Sequence, residues 1–123
     1  DNFAIQGELC GPGIQKNRLG LDKLKLFVFD VYDIDKQKYL SRVDWEDTVR
    51  SHGLDIVPVT FSVTNWDSSY SLENLLERAK GTYESSGQLR EGIVIRPNEE
   101  TYSQTLKGRL SFKVLNNDFL LKE

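Results

Sequence analysis

No segment of this chain constrains the fold more than Leu24 to Tyr32, which is apolar almost without interruption. Hydrophobicity that continues through a segment of strand length indicates a β-strand that is buried on both of its faces. Four further segments have strand character along the sequence: Phe3–Leu9, Asp55–Val63, Glu91–Arg96 and Arg109–Leu115.

The first of these strands alternates apolar residues with polar or small ones, which is the period of a half-buried strand. The alternation puts three apolar side chains on one face and two polar side chains on the other, namely Phe3, Ile5 and Leu9 against Gln6 and Glu8. The strand that contains Pro58 is rich in β-branched residues, but the proline favours an edge position or a strand end.

Two helices are predicted. Ser41 and Asp44 have the spacing of a capping box at the start of the first helix, and Gly53 marks its end. Ser71 caps the second helix, whose apolar residues recur at i, i+3, i+4 and i+7 until Gly81. The tail after Leu115 either begins a helix or leads into further residues. The expected fold is α+β, a mostly antiparallel sheet with two short helices.

Composition limits the possible functions. The 123 residues suffice for one domain, and 38% hydrophobic residues are typical of a folded protein. The longest apolar runs are too short to span a membrane. Cys10 is the only cysteine, which excludes an internal disulfide and a cysteine-rich metal site and favours a reducing, cytoplasmic location.

The net charge and the first residue of the chain lead to two further expectations. A net charge of −3 argues against bulk attraction to nucleic acid, so such a partner must be held by local clusters such as Lys16 with Arg18 or Lys107 with Arg109 and Lys113. The sequence begins at Asp1 and contains no methionine, so we expect a fragment of a longer protein.

The strand from Glu91 to Arg96 carries a carboxylate at one end and a guanidinium at the other. Glu91 suits a divalent cation, and Arg96 suits a phosphate. Pairing with a neighbouring cation and fastening of a loop are the structural alternatives.

Alternation in the last strand directs Leu110, Phe112 and Val114 toward a core and leaves Lys113 on the opposite face with Arg109 and Ser111. A lysine there can bind a phosphate oxygen, although a solvated surface lysine is the commoner outcome.

Phe27 and Phe29 are two residues apart and share one strand face, with Asp30 on the other. An aromatic ring on a sheet surface can stack on a purine, a contact of about 1–3 kcal/mol per base. Core packing is the alternative for both rings. Glu8 can accept hydrogen bonds from ribose hydroxyls, or can simply belong to an edge strand.

Several common site types are poorly supported. His52 is the only histidine, and it lies late in a helix, where a cation favours the C-terminus. Histidine-based catalysis therefore has little support. There is no Walker-type loop, and Gly11-Pro-Gly13 lacks the later glycine of a dinucleotide fingerprint.

Together these segments resemble the covalent nucleotidyltransferases, and most of all the nick-sealing branch of the ATP-dependent RNA ligases. The segment from Gly7 to Gln15, reading Gly-Glu-Leu-Cys-Gly-Pro-Gly-Ile-Gln, is similar to the one that follows the nucleophile motif in that branch. Phe27-Val-Phe-Asp30, Glu91 to Arg96 and Phe112-Lys113 are similar to the third, fourth and fifth motifs, in the family's order.

The resemblance implies a fold and a set of roles. It implies that residues 1–123 are the C-terminal part of an ATP-grasp-like nucleotidyltransferase domain of the ligase type. Its site residues would then have these roles: Glu8 on the ribose, Phe29 on the adenine, Asp30 supporting the site, Glu91 on the metal and reactive phosphate, and Arg96 and Lys113 on phosphates.

The implied reaction is RNA repair by end joining, with ATP and Mg²⁺ or Mn²⁺ as cofactors and nicked or broken RNA as the partner. An enzyme lysine attacks the α-phosphate of ATP, AMP passes to a 5′-phosphate end, and a 3′-hydroxyl displaces it. A lysine nucleophile needs a lowered pKa or a neighbouring cation.

The sequence departs from the family pattern twice. Leu115 stands where the fifth motif usually has a second basic residue, so another group, such as Lys107 or Arg109, makes that phosphate contact if it is made. The nucleophile motif, Lys-x-Asp/Glu-Gly, is also missing, since Lys16 lacks that context and both Lys80 and Lys107 are followed directly by glycine.

Three functions therefore compete: an RNA ligase fragment, a non-catalytic module that binds nucleotides or nucleic-acid ends, and an enzyme of the DNA ligase or capping type. A fragment would also expose sheet edges, which predicts a dimer caused by truncation.

Overall fold

A long antiparallel ladder between β1 (Phe3–Cys10) and β2 (Lys25–Asp33) forms the first sheet. The computed structural model describes residues 2–59, 62–63, 66–67 and 69–122. Two short strands also pair with β2, β3 (Lys38–Tyr39) in antiparallel and β4 (Asp55–Ile56) in parallel orientation. The apolar segment that most constrained the fold is thus the strand with the most neighbours.

A β-bulge interrupts the ladder at Phe29. Gln6 pairs with Asp30 and Gly7 pairs with Val28, so Phe29 has no partner on β1. Because of the extra residue, the side chains of β2 alternate in the opposite sense after the bulge from the sense they have before it. Because Gln6 and Glu8 share a face of β1 and Glu8 pairs with Phe27, Asp30 lies on the same face as Phe27. The prediction that Asp30 points away from Phe27 is therefore wrong.

Helix α1 (Arg42–Ser51) covers the other face of the first sheet. The buried side chains there form one apolar cluster, made of Val28, Val31, Trp45, Val49 and Ile56. Full burial of such a side chain contributes about 1.5–3 kcal/mol. The apolar residues of β1 lie at the margin of this face, so Phe3, Ile5 and Leu9 stay about half exposed.

The start of α1 differs from the capping box that the sequence predicts. The Ser41 hydroxyl makes no capping hydrogen bond and accepts one from the backbone N–H of Glu100 at 2.8 Å instead. A tertiary contact has replaced the local one.

A second, two-stranded sheet pairs β5 (Gly92–Ile95) with a strand near the end of the chain, Phe112–Leu115. Helix α2 (Leu72–Ala79) packs on it and forms a second apolar cluster, made of Leu75, Ala79, Ile93 and Val114. The Ser71 hydroxyl accepts a hydrogen bond from the Asn74 N–H at 3.2 Å, which confirms Ser71 as the N-cap of α2.

The last predicted strand is in fact two strands. Gly108–Arg109 (β7) pairs with Tyr102–Ser103 (β6), and the Phe112–Leu115 strand is therefore β8. Phe112, at the start of β8, is 38% exposed, whereas Val114 two residues later is only 7% exposed. The prediction of a core position for Phe112 is wrong.

Two other boundaries also change. The predicted strand from Asp55 to Val63 is short, because only Asp55–Ile56 pair and Pro58 follows closely; residues 60 and 61 lie outside the described part of the chain. The tail forms a third helix, α3 (Asn117–Lys122). Over the described residues, no helix is long and apolar enough to cross a membrane.

Candidate functional site

A cavity of about 190 Å³ brings together residues that are far apart in the sequence. Its lining includes Glu8 from β1, Phe27 from β2, Tyr83 from the connection before β5, and Glu91 at the start of β5. We call it the Glu8–Glu91 cavity. Two of the predicted site residues, Glu8 and Glu91, therefore belong to one site.

A larger cavity of about 380 Å³ lies between α1 and the segment after β4. Its arginines are already paired, since Arg42 and Arg50 lie 3.1 and 3.5 Å from Glu46. The Glu8–Glu91 cavity is smaller, but it contains the aromatic ring and the carboxylates that nucleotide chemistry needs. We take it as the candidate site for that reason.

Backbone geometry places Glu8 and Phe27 in the cavity. They are cross-strand partners, and such partners project from the same face of the sheet. A Cβ atom at Gly7 would lie 2.7 Å from the backbone oxygen of Phe27, which is too close for any side chain. The close contact of the two strands thus requires the glycine that precedes Glu8.

Glu91 forms an ion pair with Lys113 beside the cavity. The Lys113 Nζ lies 3.4 Å from Glu91 Oε2, and both side chains are nearly half exposed. An exposed pair of this kind contributes at most about 1 kcal/mol to stability. Both groups can therefore exchange partners for a phosphate or a cation at little cost.

The backbone around Glu91 is held tightly, in contrast to its side chain. The fully buried Asn116 donates its N–H to the Glu91 carbonyl at 2.7 Å and its Nδ2 to the Arg90 carbonyl at 2.9 Å. A Cβ at Gly92 would lie only 2.1 Å from the Val114 oxygen. Asn116 and Gly92 thus position Glu91 without contacting the cavity themselves.

Asp30 is the centre of a buried ion-pair cluster. The residue is 3% exposed, and its carboxylate accepts hydrogen bonds from Arg96 Nη1 at 2.9 Å and from Arg109 Nη1 and Nη2 at 3.0 Å each. Arg109 also donates two hydrogen bonds of 2.8 Å to Glu100 and lies over the Tyr39 ring at 3.8 Å. The cluster joins the first sheet to the β6–β7 hairpin and to the end of β5.

The carboxylate partners of Arg109 favour its charged form. Hydrogen bonds to Glu100 and then to Asp30 raise the pKa of Arg109 above its usual value, although burial opposes them. A guanidinium bound by two carboxylates is a structural group in this protein. Arg109 is therefore a poor replacement for the missing second basic residue of the fifth motif.

Arg96 and Phe29 lie at this cluster, outside the lining of the cavity. Arg96 donates through Nε to Ser111 Oγ at 2.9 Å and through Nη1 to the Phe29 carbonyl at 3.2 Å. The Phe29 ring is 5.9 Å from Arg96 Cζ. The phosphate role of Arg96 and the adenine role of Phe29 remain predictions, whereas Phe27 is the phenylalanine that lines the cavity among the residues that the structure describes.

Tyr83 and Cys10 are titratable groups of the cavity lining. Burial, and then the carboxylates of Glu91 and Glu8, raise the pKa of Tyr83. Burial and then Glu8 raise the pKa of Cys10. Both groups therefore stay protonated over a wider pH range than usual.

A metal would find few protein ligands here. In the described part of the chain, no three His, Cys, Asp or Glu side chains cluster as a metal site. Magnesium is often held by one or two carboxylates together with substrate phosphates. Glu91, with Glu8 in the same cavity, fits that pattern.

Sequence reasoning missed Tyr83 and Asn116. Tyr83 lies in a polar stretch without periodicity. Asn116 offered one signal, a polar residue directly after a strand.

Comparison with known proteins supports the resemblance found in the motifs. The sequence model of the RNA ligase family matches residues 1–115. No curated protein sequence matches the chain.

Solved structures of a Naegleria gruberi RNA ligase match as well. The ligase with PPi is 30% identical with a TM-score of 0.76, over 99% of this chain and 34% of that chain. A lysine-to-alanine mutant with ATP and Mn is 30% identical with a TM-score of 0.77, over 99% of this chain and 35% of that chain. A lysine-to-methionine mutant with AMP and Mn is 30% identical with a TM-score of 0.77, over 99% of this chain and 34% of that chain.

The chain spans about a third of the length of these ligases. The family match covers most of the chain, and the described fold is that of part of the ligase nucleotidyltransferase domain. This chain belongs to the RNA ligase family.

Proposed function

We propose that residues 1–123 form the C-terminal part of the nucleotidyltransferase domain of an ATP-dependent RNA ligase. The ligase joins 3′-hydroxyl and 5′-phosphate RNA ends through enzyme–AMP and AMP–RNA intermediates. The observation that carries the proposal is the convergence of Glu8, Phe27 and Glu91 on one cavity, with Lys113 paired to Glu91 beside it.

Each group has a role that suits its chemistry. Glu8 accepts hydrogen bonds from the ribose, and an aromatic ring, Phe29 by resemblance or Phe27 by position, stacks on the adenine. Lys113 holds a phosphate oxygen and stabilises the charge that develops when the α-phosphate is attacked. Glu91 holds a divalent cation, which when bound neutralises the phosphates.

The size of the cavity fits a partial site. Pockets for small ligands usually measure about 300–1,000 Å³, whereas this cavity measures about 190 Å³. It holds part of a nucleotide, and we propose that another segment of the ligase supplies the nucleophilic lysine. The Naegleria ligase structures with ATP, AMP, PPi and Mn support this ligand set.

The first test is nucleotide binding. Isothermal titration of this chain with ATP and Mn²⁺ should show saturable binding, and Glu91→Gln and Glu8→Gln should each weaken it about tenfold. Glu73→Gln, in the first turn of α2, is the matched control and should bind like the wild type. Absent binding by the wild type, or binding by the two cavity variants that is as tight as that of the wild type, contradicts the proposal.

The second test concerns the nucleophile. Incubation with ATP labelled at the α-phosphate should leave no covalent AMP on this chain. A label that resists hydroxylamine but is lost in strong acid would show a lysine–AMP bond and so place the nucleophile here.

In the complete protein, sealing of matched RNA and DNA nicks decides the acceptor, and binding without any turnover would favour a non-catalytic module.

A further inference from the structure

The connection between α2 and β5 contributes a wall of the Glu8–Glu91 cavity. Tyr83 is partly buried there, and within the described part of the chain it is the second aromatic residue of the lining beside Phe27. The two rings come from different elements, β2 and a turn. An aromatic ring in a cavity with two carboxylates offers both a flat apolar surface and a polar hydroxyl.

Backbone hydrogen bonds close the turn that carries Tyr83. Its N–H donates to the Gln88 carbonyl at 2.9 Å, and its carbonyl accepts from the Gly87 N–H at 2.8 Å. Gly87 has a φ of +73°, which favours glycine. The Tyr83 backbone is thus fixed in the structure.

Side chains of the same turn fasten it to the loop that follows β1. Ser85 Oγ donates to the Leu19 carbonyl at 2.6 Å, and Ser86 Oγ donates to the Arg18 carbonyl. Gln88 Nε2 donates to the Asn17 carbonyl at 3.3 Å. Both loops line the cavity, so these bonds fix two of its walls relative to each other.

We propose that Tyr83 is a nucleotide-binding residue, which contacts the adenosine part of the ligand in the Glu8–Glu91 cavity. The inference rests on the proposed function. The fixed turn means that little conformational entropy is lost when the ring is used for binding. The hydroxyl can donate one hydrogen bond and accept others, which suits the oxygens and nitrogens of a nucleoside.

The test compares two variants of Tyr83 with a control. Tyr83→Phe removes only the hydroxyl and should weaken binding of ATP with Mn²⁺ about fivefold, the usual effect of one hydrogen bond. Tyr83→Ala also removes the ring and should weaken binding about thirtyfold, within the range for base stacking. Tyr102→Phe, at a tyrosine that is 62% exposed on the β6–β7 hairpin, should bind like the wild type.

A spectroscopic measurement separates contact from a structural role. In protein labelled with 3-fluorotyrosine, the ¹⁹F resonance that is missing from Tyr83→Phe should shift when AMP is added. The thermal midpoint of Tyr83→Phe without nucleotide should match that of the wild type.

The possible outcomes distinguish failure of the Tyr83 inference from failure of the proposed function. If the wild type binds ATP and the Tyr83 variants bind equally well, the inference is wrong and the proposed function stands. If the wild type does not bind, both fail. Weaker binding by Tyr83→Phe with an unchanged midpoint and a shifted resonance supports the inference, even if Tyr83→Ala does not fold.

Discussion

At the scale of single residues, the acidic side chains divide into two kinds. Asp30 is buried and bound by two arginines, whereas Glu91 is nearly half exposed and has one weak partner, Lys113, among the described residues. The sequence placed Asp30 and Glu91 in one site. Their surroundings assign Asp30 to stability and leave Glu91 available to a ligand.

Asp30→Asn should destabilise the protein by about 2–4 kcal/mol. Loss of one partner from a buried ion pair leaves uncompensated charge and costs about 3–5 kcal/mol, reduced here because the two arginines are partly exposed. Urea unfolding measures the change. Asp55→Asn breaks an exposed pair with Lys25 at 3.5 Å and should cost less than about 1 kcal/mol. Equal effects of the two substitutions would contradict the structural role of Asp30.

Alkylation of Cys10 should depend on pH as expected for a thiol with a raised pKa. Burial and the Glu8 carboxylate both disfavour the thiolate, so at a pH below its pKa the folded protein has less thiolate than the unfolded chain. The rate with iodoacetamide, followed by mass spectrometry, should therefore rise at a higher pH in the folded protein than in urea. Glu8→Gln should shift the curve back in part, because burial remains. If the alkylation rate of the folded protein rises at the same pH as that of the unfolded chain, or at a lower pH, the pKa of Cys10 is not raised in the folded protein.

At the scale of elements, the predictable parts are those with long periodic patterns. Leu72, Leu75, Leu76 and Ala79 recur as a helix requires, and α2 forms there. The two-residue strands β3, β6 and β7 are too short to have a period, so the sequence could not reveal them. The same reason explains why β7 and β8 were predicted as one strand.

The candidate site was predictable in part for a similar reason. Resemblance to the family's motifs indicated Glu8, Glu91 and Lys113, and the structure brings these three close together. The contributions of Tyr83 and Asn116 depend on contacts between distant segments. Local patterns contain no information about such contacts.

Arg90→Gln should destabilise the protein by about 2 kcal/mol. Arg90 donates hydrogen bonds to three carbonyls at the end of α2, those of Arg78, Ala79 and Lys80, at 2.6–3.2 Å. A cation at a helix C-terminus satisfies free carbonyls and the helix dipole. Urea unfolding tests this, with Arg50→Gln, an arginine 58% exposed on α1, as the control. A loss no larger than that of the control would contradict the capping role.

At the scale of the whole molecule, two small apolar cores are held together largely by polar contacts. One core lies under α1 and the other under α2. The Asp30 cluster joins the halves, and the hydrogen bonds between residues 17–19 and 85–88 join the loops. The two loops also line the cavity, so the geometry of the site depends on the hydrogen bonds between them.

The chain should form dimers that weaken when β1 is made polar. Within the described residues β1 pairs only with β2, and Ile5 on it is 49% exposed. An unpaired strand with apolar side chains tends to pair with another copy. Sedimentation over a concentration series should show self-association, and Ile5→Lys should reduce it at least tenfold. Leu121→Lys, at an 85% exposed position on α3, should change nothing; equal dimer constants for both variants would disprove the role of β1.

The bulge at Phe29 makes the length of β2 a functional constraint in its own right. Before the bulge, the odd-numbered Phe27 faces the same side as Glu8, and after it the even-numbered Asp30 faces that side. A related sequence that lost one residue here would keep its apolar character and still read as a good strand. The loss of that residue would nevertheless turn the Asp30 side chain away from both arginines or the Phe27 side chain away from the cavity. In alignments of this region, insertions and deletions therefore deserve more weight than substitutions.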